Sequence, residues 1–194
     1  MPDVPFATSA ALRVFLKQPN LDEPSAANAL ADATGFIRAS TKQWLSFVAG
    51  DVEFVEIRSA TDMFVLSEYP VVNVSLIETF SDTTGLWTTF LPGRYRWLTN
   101  GIVRRIGTGY WPFGVGRLRV TYDHGYQVID QTNPPGLFGV CVAMAARRTV
   151  NPQDRVAMHL GGFGETFNRQ PGGPILATVA EQMIIATFRS PTAA

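Results

Sequence analysis

The fold is decided by the stretch Arg117-Leu-Arg-Val-Thr-Tyr-Asp123. Its apolar positions are Leu118, Val120 and Tyr122, and the polar positions between them are Arg117, Arg119, Thr121 and Asp123. Because successive side chains of a β-strand point to opposite faces of the sheet, the apolar ones all share one face. The stretch therefore predicts a strand with one face against a core and the other in water.

More short strands are expected through the middle of the chain, where turn residues recur. Pro92-Gly93 fits the centre of a type II turn, and Asn100-Gly101 is the strongest short signal for a β-hairpin. Together these turns predict an antiparallel meander. The predicted strands are 86–91, 94–98 and 102–106 in the meander, with Val72–Leu76 and weaker strands at 52–58 and 62–67 before it.

Helices are predicted on both sides of this β-region. A short helix is expected after the possible caps Thr8 and Ser9, because Leu12, Phe15 and Leu16 sit at helical spacing, and Pro19 ends it. A longer amphipathic pattern begins at the capping residue Asp22 and continues, by steps of three and four residues, through Trp44 and Val48 to Gly50. The chain is thus expected to open with two helices.

The C-terminal part is expected to be helical as well, with a loop between two helices. Pro134-Pro135 opens a helix with an apolar stripe along residues 137–145, and Pro152 closes it. Five glycines between Asn151 and Pro174 predict a long mobile loop. A last helix is expected from about Ile175 to Arg189.

The order of helices, strands and helices indicates an α+β fold. Three segments follow from it: N-terminal helices in 1–50, an antiparallel β-region in 51–126, and C-terminal helices with the glycine-rich loop and a docking arm in 127–194. The first and third segments are expected to form one compact unit. With 194 residues, 46% of them hydrophobic, the chain can bury one substantial core.

The composition indicates a soluble protein made and kept in a reducing cytosol. With one cysteine, Cys141, no intrachain disulfide is expected. The start Met1-Pro-Asp-Val-Pro5 lacks the basic region of a signal peptide. The longest apolar run, Leu137–Ala146, is shorter than the roughly 20 residues that a membrane span needs.

Few residues point to chemistry, and we expect no catalytic activity, metal or cofactor. His124 and His159 do not make a multi-histidine metal site, and no nucleotide-binding or hydrolase motif is found. A hydrolase built on Asp123 and His124 is the last-ranked hypothesis, because their side chains point to opposite faces of a continuing strand. The carboxylates at a strand entrance are interpreted as a solvated edge: Asp51, Glu53 and Glu56.

Charged residues are segregated along the chain although the formal net charge is zero. Lys+Arg and Asp+Glu number 5 and 11 in residues 1–82, 6 and 0 in residues 83–122, and 5 and 5 in residues 123–194. The segregation is either a chance fluctuation on solvated faces or a pair of complementary faces that meet between neighbouring subunits. The six cations of the basic segment are Arg94, Arg96, Arg104, Arg105, Arg117 and Arg119.

The same basic segment interleaves arginines with aromatic residues, as in Arg94-Tyr-Arg-Trp97. A single-strand nucleic-acid binder uses such residues for backbone contacts and base stacking. On a strand, however, Tyr95 and Trp97 face the core while the arginines face water, and we favour this sheet packing. The exposed arginines are then expected to contact an acidic face of the next subunit or DNA.

Several motifs occur in an order that resembles a known family. They are Tyr69-Pro-Val-Val-Asn-Val-Ser75, Gly101 before an Arg-Arg strand, Trp111-Pro112, Val120-Thr-Tyr-Asp-His-Gly-Tyr126 and Gly162-Phe-Gly-Glu-Thr-Phe167. With the N-terminal helices and the Pro-led helix, they resemble the head-tail connector (adaptor) proteins of long-tailed bacteriophages. The likeness spans most of the chain and is carried by the order of the motifs more than by any one of them.

The resemblance implies a structural virion protein without catalytic residues or cofactors. It implies a homo-oligomeric ring, twelvefold, that lies in the neck of the virion below the portal protein. A stopper or tail-completion protein is expected on the other side of the ring, and DNA is expected to pass through the lumen without sequence specificity. No membrane is involved.

The C-terminal helix is the candidate for docking on the portal. It is apolar on more than one side, and a helix of that kind must be buried somewhere. The candidate docking residues are Ile175, Leu176, Val179, Met183, Ile184 and Phe188. The alternative is that this helix packs back on residues 137–145 of its own chain.

Two further functions are kept as alternatives. One is another neck component, such as a head-closure or tail-terminator protein. The other is a nucleic-acid-binding module that uses residues 83–122, which requires strongly salt-dependent DNA binding by the isolated protein because phosphate contacts release counterions.

Overall fold

Helices near both ends of the chain and strands between them confirm the predicted α+β fold. The computed structural model describes residues 4–150, 157–160, 163–166 and 177–189. The helices are α1 (Ser9–Leu16), α2 (Glu23–Thr41), α3 (Leu137–Val150) and α4 (Val179–Ala186). The strands are β1 (Val48–Ile57), β2 (Met63–Val65), β3 (Val71–Ser81), β4 (Leu86–Thr89), β5 (Tyr95–Trp97), β6 (Ile102–Arg105), β7 (Gly114–His124), β8 (Ala157–Leu160) and β9 (Phe163–Thr166).

The chain divides into two units. The helical unit combines the segment up to Lys42 with the segment from Val128 to Arg189, and the β-unit runs from Gln43 to Gln127. Among the described residues, no helix has the length and apolar character to cross a lipid bilayer.

The first two helices begin where their capping residues predict. The Thr8 side chain accepts a hydrogen bond from the Ala11 backbone N–H at 3.2 Å, and the Asp22 carboxylate accepts one from the Ser25 N–H at 3.0 Å. Such caps satisfy backbone N–H groups that have no partner within the helix. The core of this unit lies where α2 packs on α3.

The second helix ends at Thr41, so the predicted continuation to Gly50 is wrong. Lys42 takes a left-handed conformation, with φ of 56°, and its N–H closes the last turn by donating to the Arg38 carbonyl at 2.8 Å. Trp44 and Val48 match the helical spacing by coincidence. Val48 begins β1, where its side chain is buried.

The β-unit is built around the strand that the sequence predicts most clearly. β7 lies between β1 and β3 in a four-stranded antiparallel sheet of order β1-β7-β3-β4. Leu118, Val120 and Tyr122 are each 0% exposed on its inner face, as predicted. Burying one such side chain stabilises the fold by about 1.5–3 kcal/mol.

The predicted meander is correct for its second hairpin and wrong for its first strand. β5 pairs with β6 around Asn100-Gly101, and β2 adds to the other side of β6 to make a three-stranded sheet. β4 instead pairs with β3, from Glu78 opposite Thr89 to Ser81 opposite Leu86. The type II turn at Pro92-Gly93 therefore leads the chain from one sheet to the other.

The C-terminal region also departs from the prediction. The stretch predicted as a long loop, 151–174, contains the paired strands β8 and β9. The last helix extends over Val179–Ala186 rather than 175–189, after the N-cap Thr178. Ile175 and Leu176 lie outside the described residues.

A close approach of two backbone segments requires glycine just after β7. Gly125 has a φ of +87°, and a Cβ atom built on it would lie 2.3 Å from the Ser46 carbonyl oxygen. There the Phe47 N–H donates to the Tyr126 carbonyl at 3.0 Å, and the Tyr126 N–H donates to the Leu45 carbonyl at 2.8 Å. These bonds leave no room for a side chain at Gly125.

We expect Gly125→Ala to lower the free energy of unfolding by more than about 2 kcal/mol, because backbone strain and overlap add. The matched control is Gly85→Ala, where φ is +67° but a Cβ would meet no atom within 4 Å. It should cost about 1 kcal/mol, from backbone strain alone. Chemical denaturation of both variants measures the difference, and equal losses would contradict the close approach.

Candidate functional site

His124 is the last residue of β7, and its side chain is buried, whereas a catalytic base must be accessible to substrate. His124 is 2% exposed, and its Nε2 lies 3.3 Å from a carboxylate oxygen of Asp51. Asp123 lies on the opposite face, as predicted, and accepts a hydrogen bond from the Gly50 N–H at 2.7 Å. Burial lowers the pKa of His124 against the opposing effect of the Asp51 charge, so the imidazole is neutral at neutral pH.

The prediction that the carboxylates of β1 form a solvated edge does not hold for the part-buried Glu53, whereas the side chains of Glu56 and Asp51 are 47% and 43% exposed. The Glu53 carboxylate accepts hydrogen bonds from the Tyr122 hydroxyl at 2.8 Å and from the Ser67 N–H at 3.1 Å. Burial and the nearby Glu53 charge raise the pKa of Tyr122. Asp51, next to His124, and Glu53, bonded to Tyr122, therefore contact polar atoms at the edge of the core. Their spacing of two residues from the buried Val55 predicts that they share its face of β1.

Cys141 is a buried side chain of the helical unit. It is 0% exposed, and its Sγ lies 3.6 Å from the Thr34 hydroxyl oxygen. Burial raises the pKa of the thiol to about 11, so the reactive thiolate is scarce at neutral pH. Within the described part of the chain, no group of three or more His, Cys, Asp or Glu side chains is placed to hold a metal ion.

Three arginines of the basic segment pair with acids of their own chain. Arg119 contacts Glu78 through Nε at 2.8 Å and a terminal nitrogen at 2.7 Å, and it lies over the Trp87 ring at 4.7 Å. Arg117 pairs with Asp82, and Arg104 pairs with Asp62 at 2.9 Å. Half of the six arginines of the basic segment are thus paired with acids within one subunit.

The remaining three arginines differ in their surroundings. Arg105 donates to the Tyr110 carbonyl and lies 5.2 Å from the centre of the Phe90 ring. Arg94 and Arg96 are exposed, and neither side chain has a hydrogen-bond, ion-pair or ring partner among the described residues. These two are the arginines that the basic segment leaves available to another molecule.

The basic segment packs Tyr95, Trp97 and Trp111 in or against the core of the β-unit, as the favoured interpretation predicted, but leaves Tyr110 and Phe113 62% and 58% exposed. Tyr95 and Trp97 are half-buried against this core. Trp111 is 1% exposed, lies 4.8 Å from the Phe90 ring, and donates its indole N–H to the Asp62 carbonyl at 2.9 Å. Because the packed rings are engaged, they do not offer a platform for stacking bases.

The C-terminal helix turns a different face inward from the one predicted. Ile185 and Phe188 are buried, and Glu181 forms a two-bonded ion pair with Arg147 at 2.9 and 2.7 Å. Val179 and Met183 point outward and are 75% and 70% exposed. The sequence did not distinguish these faces because both carry apolar residues.

Ile184 and Phe188, two of the candidate docking residues, contribute to packing within the subunit. Ile184 is half-buried, and its side chain packs beside Gly136. A Cβ atom added to Gly136 would lie 3.0 Å from the Ile184 side chain. Phe188 is 8% exposed. Of the described candidates, Val179 and Met183 are therefore the ones available to a partner.

An apolar groove between α1 and α3 was missed by the sequence analysis. Its volume is about 600 Å³, and it is lined by Ala10, Ala11, Val14, Phe15, Gln131, Gly136, Phe138, Gly139 and Val142. Val14 and Phe15 are 79% and 58% exposed. Phe15 shares the helical spacing of Leu12, but it is exposed together with Val14, so α1 carries a second apolar face.

No protein-family model and no curated protein matches the chain. Solved structures of gene transfer agent (GTA) particles, in contrast, contain chains of similar fold. A chain in the neck of the empty GTA particle, computed with C6 symmetry, is 16% identical with a TM-score of 0.58, over 94% of this chain and 88% of that chain. A chain in the virion of the native GTA particle is 16% identical with a TM-score of 0.56, over the same 94% and 88%.

A third similar chain comes from the neck of the native GTA particle, computed with C12 symmetry. It is 18% identical with a TM-score of 0.52, over 94% of this chain and 90% of that chain. Likenesses at these identities show a shared fold. They extend over both units, because 94% of the chain is covered each time.

We expect Arg119→Ala to lower the free energy of unfolding by about 1–2 kcal/mol, because it removes a partly buried ion pair and a ring contact. The control is Arg96→Ala, which removes an exposed arginine whose side chain has no partner in the described part of the chain and should change stability by less than about 0.5 kcal/mol. Thermal and urea denaturation compare the two. Equal effects would show that Arg119 is no more structural than Arg96.

Proposed function

We propose that this chain is a structural subunit of the neck of a phage-like particle. The observation that carries the proposal is the likeness in fold, over 94% of the chain, to a chain in the neck of the GTA particle. The sequence resemblance to head-tail connector proteins supports the same assignment independently, because it rests on motif order. The protein is made in the host cytoplasm and becomes part of the virion.

The specific role we propose is that of the head-to-tail connector, or adaptor, which forms a twelvefold ring. The similar chain in the C12 neck structure supports this symmetry. A closed ring needs two different surfaces on each subunit that fit one another, because each contact joins unlike patches. The helical unit offers one apolar surface for such a contact, the groove between α1 and α3.

The partners of the ring are the portal protein on one side and a stopper or tail-completion protein on the other. DNA passes through the lumen. The outward face of α4, with Val179 and Met183, is the proposed contact to the portal. Apolar side chains exposed on one helix face are typical of a surface that another protein covers.

A structural role without catalysis is also part of the proposal. The two side chains with the best nucleophilic or basic chemistry, Cys141 and His124, are 0% and 2% exposed. Their surroundings stabilise the uncharged thiol and the neutral imidazole. Neither arrangement suits attack on a dissolved substrate.

Mass measurement of the purified protein, alone and mixed with the portal protein of the same particle, tests the connector role. We expect a complex that carries about twelve copies of the 21.2 kDa chain on each portal ring. A chain that does not bind the portal alone, but binds a preassembled portal–connector complex, would instead be a head-closure protein. Association with isolated tails alone would indicate a tail terminator.

We expect Val179→Asp to abolish portal binding while the melting temperature of the subunit stays within a few degrees of the wild type, because this valine is 75% exposed. Val115→Asp is the matched control, since Val115 is 81% exposed on β7. It should bind the portal normally. Normal binding by Val179→Asp with a folded subunit would exclude the outward face of α4 as the portal contact.

A further inference from the structure

We infer that the outer face of the β5–β6 hairpin binds the phosphate backbone of double-stranded DNA through Arg94 and Arg96. The inference rests on the proposed function, which brings DNA through the ring. Its starting observation is that the side chains of these two exposed arginines have no hydrogen-bond, ion-pair or ring partner among the described residues. Arg104, Arg117 and Arg119 each have a carboxylate of their own chain.

The hairpin places its free arginines side by side. The Ile106 N–H donates to the Arg94 carbonyl at 2.7 Å, so the ladder of β5 continues to Arg94. Arg94 and Arg96 then share one face and stand about 7 Å apart along the strand. Arg96 lies directly opposite Arg104 on β6. Like charges in that position destabilise a sheet, so an external anion bound there would reduce the electrostatic repulsion between β5 and β6.

Another copy of this chain is a less favourable source of that anion, because many of its carboxylates already pair with a cation. Seven of the described acids form an ion pair with an arginine of their own chain, namely Glu23, Asp32, Glu56, Asp62, Glu78, Asp82 and Glu181. Breaking such a pair to build one between subunits gains little. DNA phosphates carry no such competing partner and release condensed counterions when arginines bind them.

The contact is to the backbone of a duplex and not to the bases of a single strand. Tyr95 and Trp97, which alternate with the two arginines, are half-buried against the core of the β-unit. Single-strand binders need exposed rings on which bases stack. Two guanidinium groups on a strand face that presents no exposed ring suit a contact without sequence preference, as DNA moving through a ring requires.

Site-specific cross-linking in assembled particles tests the inference. Leu98 follows the arginines on the same face and is 58% exposed, so Leu98→Cys places a thiol beside them and leaves both in place. The natural Cys141 is buried, with its pKa raised to about 11, and stays unmodified. The new thiol is alkylated with an aryl azide, the particles are assembled and irradiated, and protein bound to DNA is measured.

The matched control is Leu86→Cys, an exposed leucine of β4 that is 65% exposed and lies on the other sheet. We expect cross-linking to DNA from Leu98→Cys to exceed that from Leu86→Cys several-fold. Adding Arg94→Ala and Arg96→Ala to Leu98→Cys should reduce the DNA adduct several-fold while the neck still assembles.

The outcomes separate this inference from the proposed function. Subunits present in the neck that cross-link from Leu98→Cys to a neighbouring protein and not to DNA would overturn the inference, because the arginines would then face a protein. Equal DNA cross-linking from both cysteines would overturn it too. Absence of the chain from purified particles would instead contradict the proposed function itself.

Discussion

β7 must pair along both of its edges, and the rest of the β-unit depends on this constraint. Val120 lies opposite Glu53 of β1 on one side and Ile77 of β3 on the other. The inner face of β7 supplies the buried centre of the core, and its outer face supplies Arg119 for an ion pair with β3. Where the strand ends, Gly125 allows the chain to approach Ser46. One strand therefore supplies buried core side chains on its inner face and an ion-pair partner for β3 on its outer face.

The arginines of the basic segment fall into two groups, those that make contacts within their own chain and those that are available to another molecule. Three of the six arginines of the basic segment pair with acids of the N-terminal half within one chain, as Arg119 does with Glu78. Part of the charge segregation seen in the sequence therefore stabilises the subunit itself. Of the other three arginines, Arg105 contacts the Tyr110 carbonyl and the Phe90 ring. Arg94 and Arg96 remain, and they are the two that we assign to DNA.

The fold class, the capped starts of α1 and α2 and the inner face of β7 were predictable, because caps and two-residue alternation are local signals. Strand pairing was not: β4 joins β3 instead of β5, a choice made by contacts distant in sequence. The inward face of α4 escaped prediction because Arg147 selects it by holding Glu181. For the candidate site, the alternation of the strands predicted that the arginines face water. Which arginines lack a side-chain partner could be seen only in the structure, where the other arginines of the basic segment are paired and Arg94 and Arg96 are not.

The account depends most on the location of the chain in the particle. The most direct measurement is a cryo-electron microscopy reconstruction of the neck of the particle that contains this protein, at a resolution that shows side chains. The account predicts a ring of this α+β fold directly below the portal, with the β5–β6 hairpin turned toward the DNA and α4 against the portal. A neck without this fold, or the fold located in the capsid shell or the tail tube, would contradict it.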